Sequence, residues 1–253
     1  MKTFLLALLP FWVVAQERIL PHPVTQTKPQ SIGRRWTASF TFPDWPILGT
    51  ATAIKQQMKE TGWASSVPVG CFFIFCSGPS DYPKIDRYPS FDLEVGYRQT
   101  KRYGYQVSFG SPETAEIKGR TPGGSYLTLK SQVWYTSVRW AWYSRNGRFV
   151  NSVGPALLFV QDYEQFGQQG RHNQTRPGFH VSSQFRFFDR RTWLLAVKMD
   201  IRAGLPATTQ EYQKEEILYN NNAASTTKPV RFEAINLPST YLNVGVQLGI
   251  KIL

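Results

Sequence analysis

The 253-residue chain holds two cysteines, Cys71 and Cys76, in the hexapeptide CFFIFC, with no histidine close by. That is a poor zinc site, and nothing else in the sequence has metal-ligand spacing or asks for a cofactor. Charge is scarce as well: Asp, Glu, Lys and Arg make up 18% of the residues, little for a soluble domain. Acids are the scarcer sign, 17 against 29 Lys and Arg, for a formal charge of +12. Beyond the N-terminus there is no run of about 18 apolar residues, which excludes a helical membrane protein. A membrane β-barrel stays open, because its signal per strand is far weaker. Rings are abundant, at 15% of the chain.

Residues 1–16, MKTFLLALLPFWVVAQ, have the parts of a signal peptide. Lys2 supplies the positive start, residues 4–14 the apolar core, and Val13-Val14-Ala15 the small residues before a cut. Residues 1–15 are therefore expected to be removed on export. Residues 16–33 contain three prolines and no period, and are expected to form an extended periplasmic leader.

The far end, residues 241–253, alternates without a fault. Leu242, Val244, Val246, Leu248, Ile250 and Ile252 share one parity, against Asn243, Gly245, Gln247, Gly249 and Lys251. A strand of that length crosses a bilayer at a tilt. The same period recurs in residues 35–42, 91–98, 103–109, 131–143, 149–160, 179–187 and 193–202, giving eight strands. Asn146-Gly147 has the signature of a two-residue type I′ hairpin, which would set Trp134 beside Phe159, Trp140 beside Val153 and Arg139 beside Gly154. Pro155 sits awkwardly in that ladder, since it has no N–H to donate. Long loops are expected over residues 43–90, 110–130, 161–176 and 205–239, with one or two helical turns in EYQKEEIL (residues 211–218). Short turns alternate with these loops, and both termini fall on the short-turn side.

The pattern predicts an all-β fold, an eight-stranded antiparallel up-and-down transmembrane β-barrel with long extracellular loops, over residues 34–253. A soluble, lipocalin-like barrel would instead turn the apolar face inward. Trp36, Trp134, Trp140, Trp142 and Trp193 are too bulky to share an interior that small, whereas the Gly, Ser, Thr and Gln of the other face fit. In this architecture the chain resembles the eight-stranded outer-membrane barrels of the OmpA/OmpX type. The resemblance implies a Gram-negative outer membrane as location, porin-like shape, and membrane lipids and lipopolysaccharide as surroundings.

On the inward parity lie Asp92, Glu94, Arg98, Arg139, His180, Arg186, Lys198, Asp200, Arg202 and Lys251. Charges in a narrow lumen must pair or be hydrated. They form either a salt-bridged plug or a narrow ion or small-solute path biased toward anions. Lys101, Arg102, Arg145, Arg148, Arg190 and Arg191 fall in the short turns, with Arg34 and Arg35 beside the first strand. Such a basic periplasmic ring suits anionic headgroups or an envelope protein partner, unless it is simply solvated. Nucleic acid, which would attract the same charge, is not a partner an exported barrel meets. His180-Val181-Ser182 with Asp200, expected opposite His180, has the residue types of a hydrolytic triad and is similar to PagL-type lipid A deacylases. The acid differs from that group's Glu, the spacing is longer, and the parity turns these groups to the lumen. The sequence therefore favours a non-enzymatic barrel, in envelope integrity or surface interaction, over an acyl ester hydrolase. An exported chain could oxidise Cys71 and Cys76, but bonding them requires a turn between them.

Overall fold

The computed structural model describes residues 36–48, 51–61, 63, 65–67, 70–72, 75–77, 80–121, 125–164, 170–190, 192–220 and 223–252, all within the compact unit Ile32–Leu253. The expected signal peptide and leader lie outside the described residues. In chain order the elements are β1 (Trp36–Leu48), α1 (Ala51–Glu60), β2 (Ser66–Val67), β3 (Gly70–Phe72), β4 (Phe75–Ser77), β5 (Ser80–Asp81), β6 (Lys84–Tyr88) and β7 (Ser90–Arg98). There follow β8 (Tyr103–Arg120), β9 (Tyr126–Tyr143), β10 (Phe149–Glu164), β11 (His172–Asp189) and β12 (Trp193–Gly204). The last are β13 (Ala207–Thr208), β14 (Tyr212–Asn220), β15 (Ala223–Phe232), β16 (Asn236–Leu237) and β17 (Thr240–Ile252).

Strands β8, β7, β1, β17, β12, β11, β10 and β9 pair antiparallel in that order, and β9 pairs back to β8. The sheet thus closes into a ring of eight. Closure leaves no edge, and it lets a sheet satisfy its backbone donors and acceptors inside lipid. Beyond Pro89, β6 takes over from β7 along the edge of β8.

The faces are inverted relative to a soluble barrel. Trp140, Leu248 and Trp193 point outward, 54%, 57% and 65% exposed, while Arg139, Lys198 and Arg202 are fully buried inside. On β10 the outward apolar run goes from Phe149 through Val153 and Leu157 to Phe159. At the usual rise and tilt it spans about 25 Å along the barrel axis, the height of a bilayer's apolar band.

Farther from the short turns both faces change polarity on the same strands. Along β9 the inward series passes from Arg139, Ser137 and Tyr135 to Val133, Leu129 and Leu127, while the outward series passes from Trp140 and Trp134 to Gln132 and Lys130. Strand β8 changes likewise, to Ala115 and Ile117 inside and Glu116 and Lys118 outside. Below this level the wall has lipid outside, and above it the wall has water outside. The upper interior is an apolar core in which Ile54 and Met58 of α1, Trp63, Phe232, Ile235 and Leu237 pack on Ile117, Leu127, Leu129, Leu158 and Val160 of the wall. We call this cap the dome.

Several sequence expectations change. Strands β8 and β9 run on to Arg120 and from Tyr126, so the loop expected over residues 110–130 shrinks to a tip. Strands β10 and β11 likewise shorten the expected loop 161–176. Their polarity follows the dome rather than the membrane, which breaks the period at the boundary. The span 43–90, expected to be irregular, contains α1 and short strand pairs. EYQKEEIL is not helical: Tyr212–Asn220 pairs as a hairpin with Ala223–Phe232. The register Trp134↔Phe159 and Trp140↔Val153 stands as predicted, but the turn is not two residues long. Ser144 N–H donates to Phe149 O at 2.9 Å, Gly147 N–H donates to Ser144 O at 2.9 Å, and Asn146 Oδ1 accepts Arg148 N–H at 3.0 Å. The result is a four-residue loop on the same centre, with Gly147 at φ 71°. A Cβ on Gly154 would collide with the Val138 carbonyl oxygen and crowd the Arg139 Cα at 2.7 Å, so only glycine lets β9 and β10 approach there.

Candidate functional site

The inward side chains at membrane level converge on Glu94 of β7. Its Oε2 accepts from Arg139 Nη2 at 2.5 Å and faces Lys198 Nζ at 3.1 Å. Its Oε1 accepts amide N–H groups from Gln184 at 2.8 Å, Gln106 at 3.0 Å and Gln247 at 3.3 Å. Five strands therefore deliver donors to one carboxylate. Lys198 also pairs with Asp92, and with Asp200 at 3.2 Å. Arg202 pairs with Asp200 at 3.0 Å, donates to the Tyr135 hydroxyl at 2.8 Å and to Asn243 Oδ1 at 3.3 Å, and Tyr135 in turn donates to Asp92. The cluster contains three carboxylates (Asp92, Glu94, Asp200) and three permanent cations (Arg139, Lys198, Arg202), all buried. The sequence suggested an excess of base in the lumen. At membrane level the charges balance.

The remaining expected lumen charges sit lower, at the short-turn mouth. Arg98 is half-buried, with its guanidinium 4.4 Å from the Tyr143 ring centre, and Arg186 lies 5.4 Å from the same ring. Arg186 reaches Asp189 at 3.5 Å, and Lys251 pairs with the same carboxylate.

The triad expectation needs correcting. A β-bulge between Arg186 and Phe188 shifts β11 against β12, so His180 stands opposite Arg202, and Asp200 stands opposite Ser182. The diagonal contact still brings His180 Nε2 to 2.9 Å from Asp200 Oδ1. The hydroxyl on the other ring nitrogen belongs to Ser137 of β9, 2.9 Å from Nδ1. Ser182 Oγ is buried and has no hydrogen-bond partner among the described residues. His180 Nε2 also lies 3.2 Å from Arg139 Nη1, so three buried side chains hold the imidazole. Histidine, serine and aspartate are all buried in the barrel interior, turned away from the lipid-facing surface. Sequence reasoning missed Tyr135, Ser137 and Asn243. Their parity with Arg139 and Gln247 was the available signal, but polar uncharged side chains do not announce partners.

Above the cluster, Asp162 ties the fourth outer loop to the wall. Its Oδ2 accepts from the Tyr212 hydroxyl at 3.0 Å and from Gln210 N–H at 3.2 Å, while His172 Nδ1 lies 3.0 Å from Oδ1. Burial holds the Tyr212 phenol above its ordinary pKa. On the dome's outside, the Tyr88 hydroxyl donates to Glu116 at 2.8 Å, which lowers that carboxyl and raises the phenol. Cys71 and Cys76 stand as antiparallel partners in the ladder of β3 and β4. Antiparallel partners lie about 4.5–5.5 Å apart at Cα, inside the range for bonded half-cystines. Their side chains lie outside the described residues.

A closed eight-stranded antiparallel ring, apolar outside and ion-paired within, defines a transmembrane β-barrel. No protein-family model matches the chain, and no curated protein does either. Among solved structures, the chain is similar to the outer-membrane protein OprG of Pseudomonas aeruginosa, at 10% identity and TM-score 0.47, over 87% of this chain and 96% of that one. It is also similar to Ail, the attachment invasion locus protein of Yersinia pestis, at 7% identity and TM-score 0.40, over 87% and 98%. A third is the outer-membrane protein AlkL in lipid bilayers, at 13% identity and TM-score 0.36, over 93% and 98%. The class assigned here rests on the register and the two faces.

Proposed function

We propose that the chain is a non-enzymatic integral protein of a bacterial outer membrane, with a closed interior, serving envelope integrity or surface interaction through its outer loops. The observation that carries this reading is the double filling of the lumen. A charge-balanced cluster occupies the membrane level, and an apolar core built from α1 and the fourth outer loop closes the level above. An ion entering from outside would have to cross the dome core and then displace one member of a paired set, and each step is costly. The histidine of the hydrolase reading is fully used by Asp200 and Ser137 inside the wall, away from both leaflets. The surfaces left for function are the outer loops and the short-turn rim.

Planar-bilayer recording on the folded full chain tests this. The expected trace is flat at moderate voltage, and regular single-channel steps would overturn the closed reading. Lipid A mass spectra from cells carrying the native chain or His180→Ala are expected to be identical. A deacylated species present only with the native chain would restore the hydrolase.

A further inference from the structure

The short-turn rim combines two features in each of its three turns. Arg102 is followed by the outward Tyr103, Arg148 by the outward Phe149, and Arg190 is followed three residues later by Trp193, the most exposed large apolar side chain described. Trp36, Tyr105, Trp140, Phe187 and Phe188 complete a ring of exposed aromatics at this end. Aromatic girdles sit where acyl chains meet headgroups. A cation just beyond the girdle, toward the turn, therefore lies at the depth of lipid phosphates.

The charge at this end is one-sided. Lys101, Arg102, Arg145, Arg148 and Arg190 are exposed, and Arg98 and Arg186 crowd the mouth against Tyr143. Among the described residues of the turns and adjoining strand ends, Asp189 is the sole carboxylate, and it already faces Arg186 and Lys251. The dome differs: there Lys118 is paired with both Asp86 and Glu116. Unlike the interior and the dome, this end leaves its positive charge uncompensated by protein.

We infer that the short-turn rim is a binding surface for anionic phospholipid headgroups, engaged by Lys101, Arg102, Arg145, Arg148 and Arg190 while the aromatic ring fixes their depth. The inference rests on the outer-membrane reading, in which short turns face the phospholipid leaflet. Each contact is of a size that favours an anionic over a zwitterionic lipid about fivefold, and salt weakens it.

The test is spin-label lipid association with the full chain in phosphatidylcholine vesicles, comparing labelled phosphatidylglycerol with labelled phosphatidylcholine. The native chain is expected to prefer phosphatidylglycerol about fivefold in low salt, with the preference falling as salt rises. Reversing the five rim cations to Glu is expected to abolish it, while Lys84→Gln with Arg171→Gln at the far end leaves it unchanged. Equal association in the native chain, or a preference that survives the reversal, would overturn the inference. So would displacement by inorganic phosphate beyond that by chloride at equal ionic strength, because the rim would then be a site for a soluble anion. A cold-versus-boiled gel on each sample separates the two levels of failure. Equal association in a native chain that keeps the heat-dependent shift sinks the lipid surface alone, a reversed variant counts only if it keeps the shift, and a native chain without the shift sinks the barrel reading and the lipid surface together.

Discussion

Glu94→Gln is the most informative single change in the interior. The substitution keeps the volume and removes one charge from a set of three carboxylates and three cations, leaving the membrane-level cluster with an unbalanced positive charge. Arg139 at 2.5 Å and Lys198 at 3.1 Å lose a charged partner, although each retains contacts with Asp200. The amides of Gln106, Gln184 and Gln247 lose the anion they share. Removing one member of a buried pair typically costs about 3–5 kcal/mol, because the partner's charge is left uncompensated. We expect a loss in that range, read as a lower urea midpoint by tryptophan fluorescence in vesicles. Adding Lys198→Met restores neutrality, with Asp92 and Asp200 against Arg139 and Arg202, and should recover about 2 kcal/mol of the loss. A Glu94→Gln protein within about 1 kcal/mol of native, or a double variant as unstable as the sum of the singles, would refute the view that charge balance holds this interior together.

Trp63 and Phe232 meet edge-to-face at 4.6 Å in the dome core. Phe232→Ala should cost the dome about 3–5 kcal/mol, exposing the outer loops to protease while the heat-dependent gel shift of the barrel persists. Gly154→Val should prevent β9 and β10 from closing, because its side chain would collide with the Val138 carbonyl oxygen; the check is the folded fraction on a cold gel, expected near zero. The buried Tyr212 phenol has its pKa raised in the folded chain. Its stabilisation is therefore complete below the unfolded value of about 10 and is lost as pH rises above it, because the unfolded chain ionises first. Urea midpoints of the dome should fall above about pH 10 in the native chain, and that slope should be smaller in Tyr212→Phe.

The membrane storey was legible because a lipid-facing wall forces a clean period of two, and the fault-free alternation of residues 241–253 is its plainest case. The register of β9 on β10 was legible from one turn, even though Ser144 and Asn146 widen that turn to four residues. The pairing of β11 with β12 was not, because the bulge near Phe187 leaves no mark in a run where Phe185, Phe187 and Phe188 suit either register. The dome was missed for a different reason. Where the outside medium changes from lipid to water, β9 keeps its parity while its polarity inverts. On β8 a bulge between Gly110 and Glu113 also moves the inward set from Gln106 and Ser108 to Glu113, Ala115 and Ile117, so Gly110 to Ile117 looks like a strand ending in a loop. Of the interior site, the charged members could be named from parity alone. Which charge meets which depends on stagger around the ring, and that is a property of the closed barrel.

The two storeys explain each other. A small barrel filled only by the ion cluster would have its outer end open to water, which would hydrate Asp92, Tyr135 and Arg202 and weaken every pairing beneath. The dome places Leu129, Val133 and Leu158, all buried, directly above that level. The ion pairs therefore sit in a medium of low polarity, where they are strong if complete and costly if incomplete. In the function proposed above, the same closure removes the lumen as a route or a reaction site. Two surfaces then remain open to partners: an outer one carried by long loops that the dome core holds in place, and a basic one at the short turns. A loss of dome packing should consequently be felt below it, as a lower urea midpoint for the barrel in Phe232→Ala than dome unfolding alone would give. A barrel midpoint indifferent to the dome would mean that the cluster sustains its pairing without cover.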